Sequence, residues 1–139
     1  VVIASGTGGT LTGVAERLKQ LKPEVHIVAV EPENSNILSG GTPGPHMIQG
    51  IGPGFVPENL NPDMIDSVET VSNDEALETA RKLALYEGIP AGISSGAALA
   101  CTLRVAKRPE MKGKTVVTIL ASGSERYLST ALFDGYGED

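Results

Sequence analysis

Apolar and polar positions along this chain follow two rhythms. "VVIAS" (Val1–Ser5) is a short apolar run followed by glycine, the pattern of a buried parallel strand. Leu11, Val14, Ala15, Leu18 and Leu21 then repeat at helical spacing, with Glu16, Arg17, Lys19 and Gln20 between them, and Pro23 ends that helix. "VHIVAVEP" (Val25–Pro32) returns to a strand rich in β-branched residues. Strand, helix and strand joined by short connections predict a parallel sheet with a right-handed crossover.

The regular pattern fails from Asn34 to Leu60. "SGGTPGPHMIQGIGPGFVPENL" is dense in Gly and Pro and reads as a long loop, with Ile48, Ile51, Phe55 and Val56 expected to keep it ordered. "SVETVS" is a short strand. "SNDEALETARKLALYEG" is a helix, with Ser72 and Glu75 as a capping box and Gly88 as its stop. "GIPAGISSGAALACTLRVAKRP" predicts a short apolar run, a Ser-Ser-Gly turn and a helix ending near Lys107. "KTVVTILAS" (Lys114–Ser122) is a third clear strand, and "SERYLSTALF" a last short helix. The fold class is α/β, a mostly parallel twisted sheet with helices on both faces.

Composition narrows the partners. With 139 residues the chain has the size of one domain or one lobe, and 40% hydrophobic with 20% charged residues is an ordinary globular profile. A formal net charge of −6 argues against nucleic acid or an anionic membrane, which need a basic face. No apolar stretch approaches the ~20 residues of a spanning helix, and none has the pattern of a signal peptide. The lone cysteine, Cys101, fits a reducing cytoplasm. Val1 already lies in a strand-like run, so the chain is expected to begin inside a larger protein.

The candidate chemistry sits in the turns. Gly6, Thr7, Gly8, Gly9 and Thr10 stand between a strand and a helix start, where unpaired amides and the helix dipole favour an anion and glycine admits close approach. A phosphate is the obvious ligand. A nucleotide P-loop is excluded because the first lysine is Lys19. A dinucleotide fingerprint would need glycine where Leu11 stands, although Glu31 lies where a ribose-binding acid could. A tight turn that binds nothing is the remaining alternative. "GISSGAALA" repeats the design, with Ser94 or Ser95 expected at the carboxyl edge of the sheet, as site residues or as helix caps. Ser122 and Ser124 end the third predicted strand at the same edge; Ser124 could equally be a cap, and Glu125 and Arg126 surface charges. "IQGIGPGF" could offer amides to a carboxylate. His46 reads as structural or exposed, His26 as a packing residue, and Cys101 as a small core residue rather than a nucleophile.

"GTGGTLTGV", "VAVEP", "SGGTPGPHMIQGIGPGF", "GISSGAA" and "SERYLSTALFD" together resemble the cysteine synthase (O-acetylserine sulfhydrylase) family, in order and in spacing. These are fold-type II pyridoxal phosphate enzymes, with O-acetylserine-dependent cystathionine β-synthases as relatives. The resemblance covers essentially all of the chain but only the second half of such an enzyme, so residues 1–139 are expected to form its C-terminal lobe. It implies pyridoxal 5′-phosphate as cofactor and β-replacement of acetate in O-acetyl-L-serine by sulfide or a thiol, in a cytoplasmic homodimer. It implies that Gly6, Thr7, Gly8, Gly9 and Thr10 cradle the cofactor phosphate. Ser94, with Ser122 nearby, would contact the pyridine ring, and Gly50, Ile51 and Gly52 would line the substrate side. A serine at the ring nitrogen leaves it largely neutral, which suits elimination of a good leaving group.

The family's Schiff-base lysine lies in the half that the resemblance does not cover. No lysine here sits in a matching motif, so no catalytic residue is expected in this chain. A cystathionine β-synthase-type enzyme and a non-catalytic fragment or regulatory binding module are the alternatives. Two departures stand out. In "ASGSERY" Ala121 replaces a usual proline, and Gly123 and Ser124 alter the turn. Thr42 and Met47 occupy positions where members that bind serine acetyltransferase carry lysines, so that partner is not expected.

Overall fold

The structure is a computed structural model that describes residues 1–124 and Leu132. Its elements are β1 (Val2–Ala4), α1 (Gly9–Leu21), β2 (Val28–Pro32), β3 (Ser67–Val71), α2 (Asn73–Glu87) and α3 (Ile93–Ala106). The strands form a parallel sheet in the order β1-β2-β3, with Val2 opposite Val28 and Val28 opposite Ser67.

Alternation along the strands divides the core into two layers. Val2, Val28, Val30 and Val71 pack with Ala76, Ala80, Ile93, Ala97 and Cys101 of α2 and α3. Ile3, Ile27 and Ala29 face the other way, toward Leu11 and Ala15 of α1 and Leu60 of the long loop. Helices therefore cover both faces, as the apolar strands require, since neither face of a buried parallel sheet can be left to water. Each fully buried Val, Leu or Ile contributes about 1.5–3 kcal/mol to this packing.

Several boundaries differ from the sequence reading. β2 begins at Val28 because the Ile27 amide donates to the Asp66 carboxylate (2.8 Å) rather than to a ladder. His26 is exposed, with its ring at 2.9 Å from the Ser67 hydroxyl, and is not a packing residue. Residues 114–122 do not form a regular strand. They make a single parallel bridge, Val2 with Thr118, and the Thr118 hydroxyl takes the Val2 carbonyl (2.8 Å) that a ladder would need. Ser72 caps α2 through the Glu75 amide (3.1 Å), but the Glu75 carboxylate goes to Arg104, so the capping box is half formed. Ile48 and Ile51 of the long loop are buried, whereas Phe55 and Val56 are exposed. The predicted last helix lies outside the described residues.

Two polar links bind the layers together. Arg104 of α3 meets Glu69 of β3 and both oxygens of Glu75 on α2 (2.6 and 2.7 Å), and Arg108 also pairs with Glu69. Lys19 of α1 pairs with Asp66 just before β3 (2.9 Å). Partial burial works to raise the pKa of Asp66, but hydrogen bonds from Lys19 and the Ile27 amide, with the charges of Lys19 and His26, outweigh it and hold the carboxyl below its usual range. A depressed folded-state pKa gives stability that is present above the ordinary carboxyl pKa and lost as pH falls through the lowered value. Acid titration followed by circular dichroism should therefore show the native chain losing stability below about pH 4, with Asp66→Asn flattening that dependence.

Helices α2 and α3 pack tightly at Gly96, where an added Cβ would collide with the Ala76 carbonyl oxygen and lie 2.8 Å from the Ala80 Cβ. Gly96→Ala should destabilise the chain by about 1–3 kcal/mol in urea unfolding, since the contact involves backbone that cannot move aside.

Candidate functional site

The site is built where β1 passes into α1. Gly8 is the N-cap of α1 and has φ +84°, a left-handed conformation open to glycine at little cost. α1 thus starts at Gly9, earlier than the apolar pattern suggests, and Gly9 and Thr10 belong to its first turn. No side chain caps the helix and its first turn holds no acidic residue. The Gly9 amide has only a long contact, 3.4 Å, to the Thr7 hydroxyl. These amides and the positive end of the helix dipole favour negative charge at the turn.

The long loop closes against this turn. A Cβ on Gly6 would collide with the Gly50 carbonyl oxygen, and the Gly52 amide donates to the Ser5 carbonyl (3.1 Å). On the next helix, Ser94 and Ser95 lie within the first turn of α3 rather than in a turn before it, and Gly92 is the N-cap. Neither serine caps the helix. The Ser94 hydroxyl meets the Ser122 hydroxyl at 2.7 Å, and the Ser95 hydroxyl exchanges hydrogen bonds with the Ser122 carbonyl (2.9 Å) and amide (3.0 Å). This network brings the segment after α3 back to the carboxyl edge of the sheet, where Gly92 and Ser124 donate to Ser122 and Pro90.

A cavity of about 180 Å³ lies between these parts. Gly6, Thr7, Gly8 and Thr10 line it from the glycine turn, Gly50 and Ile51 from the long loop, and Ser94 from α3. Ile3, Ala4, Leu11 and Ile119 supply apolar walls that the sequence did not single out, together with Ala121, which it did. The change of proline to alanine at Ala121 was the one visible signal. Gly9 does not line the cavity. Ser122 stands behind Ser94. Gly52 borders a separate, smaller hollow beside Glu31 and Ser35, so it belongs to the loop's packing and not to this cavity. Ser124 is buried; Glu125 and Arg126 lie outside the described residues.

Glu31 does not serve a ribose. It is buried, and its carboxylate accepts from the Leu38 amide (2.8 Å) and from the amide and hydroxyl of Ser39 (2.8 and 2.6 Å). It anchors the turn at 37–39, which removes the dinucleotide alternative. Among the described residues no cluster of three His, Cys, Asp or Glu side chains could hold a metal, and no helix is long and apolar enough to cross a membrane.

A family model described as pyridoxal-phosphate dependent enzyme matches residues 1–123. The chain belongs to this family. It is 56% identical over 128 residues to the cysteine synthase of Staphylococcus aureus (strain N315), a match covering 92% of this chain and 41% of that enzyme. Its fold superposes on a cysteine synthase structure from Entamoeba histolytica with a TM-score of 0.94 at 46% identity, covering 99% of this chain and 41% of the other. It also superposes on an O-acetylserine-dependent cystathionine β-synthase from Helicobacter pylori with a TM-score of 0.83 at 43% identity, covering 94% and 43%. The chain spans about two fifths of the length of these relatives.

The cavity's donor set fits the phosphate and ring of the cofactor that names the family. A helix start with no side-chain cap, two threonine hydroxyls and no lining carboxylate suit a phosphate dianion. The apolar walls suit a flat aromatic ring, and the Ser94 hydroxyl puts a neutral polar group at the wall.

Cys101 stays outside this chemistry. It is fully buried in the core between the sheet, α2 and α3. Burial pushes its thiol up to about 12, against the opposing charge of Arg104. The thiolate is the reactive form, so native chain at pH 8 should give no reaction with a disulfide thiol reagent, and one equivalent per chain after denaturation.

Proposed function

We propose that this chain is the cofactor-phosphate-binding part of a cysteine synthase, which replaces the acetate of O-acetyl-L-serine by sulfide to give L-cysteine. The observation that carries the reading is the uncapped start of α1 opening, beside Ser94, into the cavity between the glycine turn and the long loop. Pyridoxal phosphate, when bound, supplies an electron sink that lets the β-acetate leave and sulfide add. The chain's own residues bind and orient. Amides at Gly6, Thr7, Gly8 and Thr10, with the Thr7 and Thr10 hydroxyls, would hold the phosphate, and Gly50 and Ile51 would form the substrate-side wall. The Ser94 hydroxyl, hydrogen-bonded to Ser122, would offer the ring nitrogen an uncharged partner that would not hold it protonated.

None of the lysines lines the cavity, and on this reading the chain by itself binds the cofactor non-covalently and turns nothing over. Among the described residues the cavity carries no group that is both basic and placed to take a substrate proton. Small-molecule substrates and a cytoplasmic location go with the reading.

Titrating the chain with pyridoxal 5′-phosphate, followed by absorbance, should give saturable binding that inorganic phosphate competes away. No cysteine should form above background with O-acetylserine and sulfide. Ser94→Ala should weaken binding by about 0.5–1.5 kcal/mol, one neutral hydrogen bond. Ser94→Asp should alter the absorption spectrum, because a carboxylate favours the protonated nitrogen. Absence of binding, or cysteine formation by the chain alone, would overturn the proposal; an Asp variant with an unaltered spectrum would remove Ser94 from the ring.

A further inference from the structure

His46 lies in the long loop, half-buried, and both of its ring nitrogens are engaged. The Ile48 amide donates to Nδ1 at 3.1 Å, and Nε2 stands 2.9 Å from the Gly52 carbonyl oxygen. A backbone amide can only donate, so Nδ1 must present its lone pair. A carbonyl can only accept, so Nε2 must carry the hydrogen. The contacts thus fix a neutral ring with its proton on Nε2. One imidazole spans the turn from Ile48 to Gly52 and holds its two ends together. Between those ends lie Gly50 and Ile51, which line the cavity.

The turn is keyed to the rest of the molecule at three further places. The Met47 amide donates to the Asn73 side chain at the start of α2 (2.9 Å). Ile48 is fully buried in the layer under α2 and α3. The Gly52 amide donates to the Ser5 carbonyl, one residue before the glycine turn. A continuous path therefore runs from the Ile48 amide through the imidazole and residue Gly52 to the end of β1. We propose that His46 is a positioning residue: its Nε2-protonated ring sets where the Gly50–Ile51 wall stands relative to the glycine turn. It touches neither ligand nor reacting atoms and acts through the loop that it closes.

Nitrogen-15 NMR of the chain at neutral pH should show Nδ1 of His46 as the unprotonated nitrogen and Nε2 as the protonated one. His46→Ala should speed hydrogen exchange at the Ile48 and Gly52 amides and weaken pyridoxal phosphate binding about five- to tenfold, the loss expected for one or two neutral hydrogen bonds. His46→Asn, whose side-chain oxygen can replace Nδ1, should protect Ile48 alone. His46→Gln, whose amide can replace Nε2–H toward the Gly52 carbonyl, should restore slow exchange of the Gly52 amide, which donates to Ser5, without protecting Ile48, and each variant should recover part of the affinity. A proton on Nδ1, or unchanged exchange at both amides in His46→Ala, would overturn the proposal. The effect on the cofactor rests on the function proposed above, whereas the tautomer and the exchange rates do not. A native chain that shows both but binds no pyridoxal phosphate would support the role of His46 and sink the functional reading instead.

Discussion

Gly6 stands against the carbonyl of Gly50 with no room for a Cβ, and the rest of the cavity depends on this contact. No side chain fits between the turn after β1 and the long loop. Because the two segments touch as bare backbone, the Gly52 amide reaches the Ser5 carbonyl and Leu60 packs directly over Gly8. One wall of the cavity and the start of α1 are therefore fixed against each other. A methyl group on Gly6 would push the Gly50 carbonyl away, and the amides of the first turn would no longer face a closed space.

Beneath this contact, the parallel sheet decides where the site lies. β1 and β2 are covered on both faces by two separate apolar layers, so the site lies past the strand ends. β1 emerges at the carboxyl edge and turns at once into α1. α3 begins at the same edge, bringing Ser94 beside the cavity, and the Ser94–Ser95–Ser122 hydroxyls tie in the segment that follows. Segments distant in sequence meet there because a parallel sheet delivers every strand's end to one side.

Charge is deployed away from this edge. Arg104, Arg108, Glu69 and Glu75 clamp β3 to the two helices behind it, and Lys19 with Asp66 clamps α1 to the opposite side. Glu31 is spent on the backbone of residues 38 and 39. No charged side chain of the described residues lines the cavity. An anion would be held by oriented amides and hydroxyls alone, which suits a chain whose net charge is −6.

Much of this was legible in the sequence. The apolar runs of β1 and β2, the helical repeat of α1, the Gly88 stop and the glycine turn are local patterns, and each specifies its element through propensity, periodicity or conformational freedom. Of the residues expected at the phosphate and ring, Gly6, Thr7, Gly8, Thr10 and Ser94 border one cavity, as do Gly50 and Ile51 of the expected substrate side, whereas Gly9, Ser122 and Gly52 do not line it. Tertiary structure decided the rest, and in each case a distant polar group took over a hydrogen bond that local pattern assigns to the backbone or to a neighbour. The Asp66 carboxylate took the Ile27 amide and shortened β2. The Thr118 hydroxyl took the Val2 carbonyl and left 114–122 with one bridge. Arg104 drew Glu75 out of its capping box. Ser122 drew Ser94 and Ser95 away from capping α3. His46, whose residue type carries no spacing signal, closed the loop through two bonds to its own backbone. Apolar periodicity reports which face of an element is buried, but a hydrogen bond depends on which atoms folding brings within about 3 Å, and that distance is set only when the layers pack.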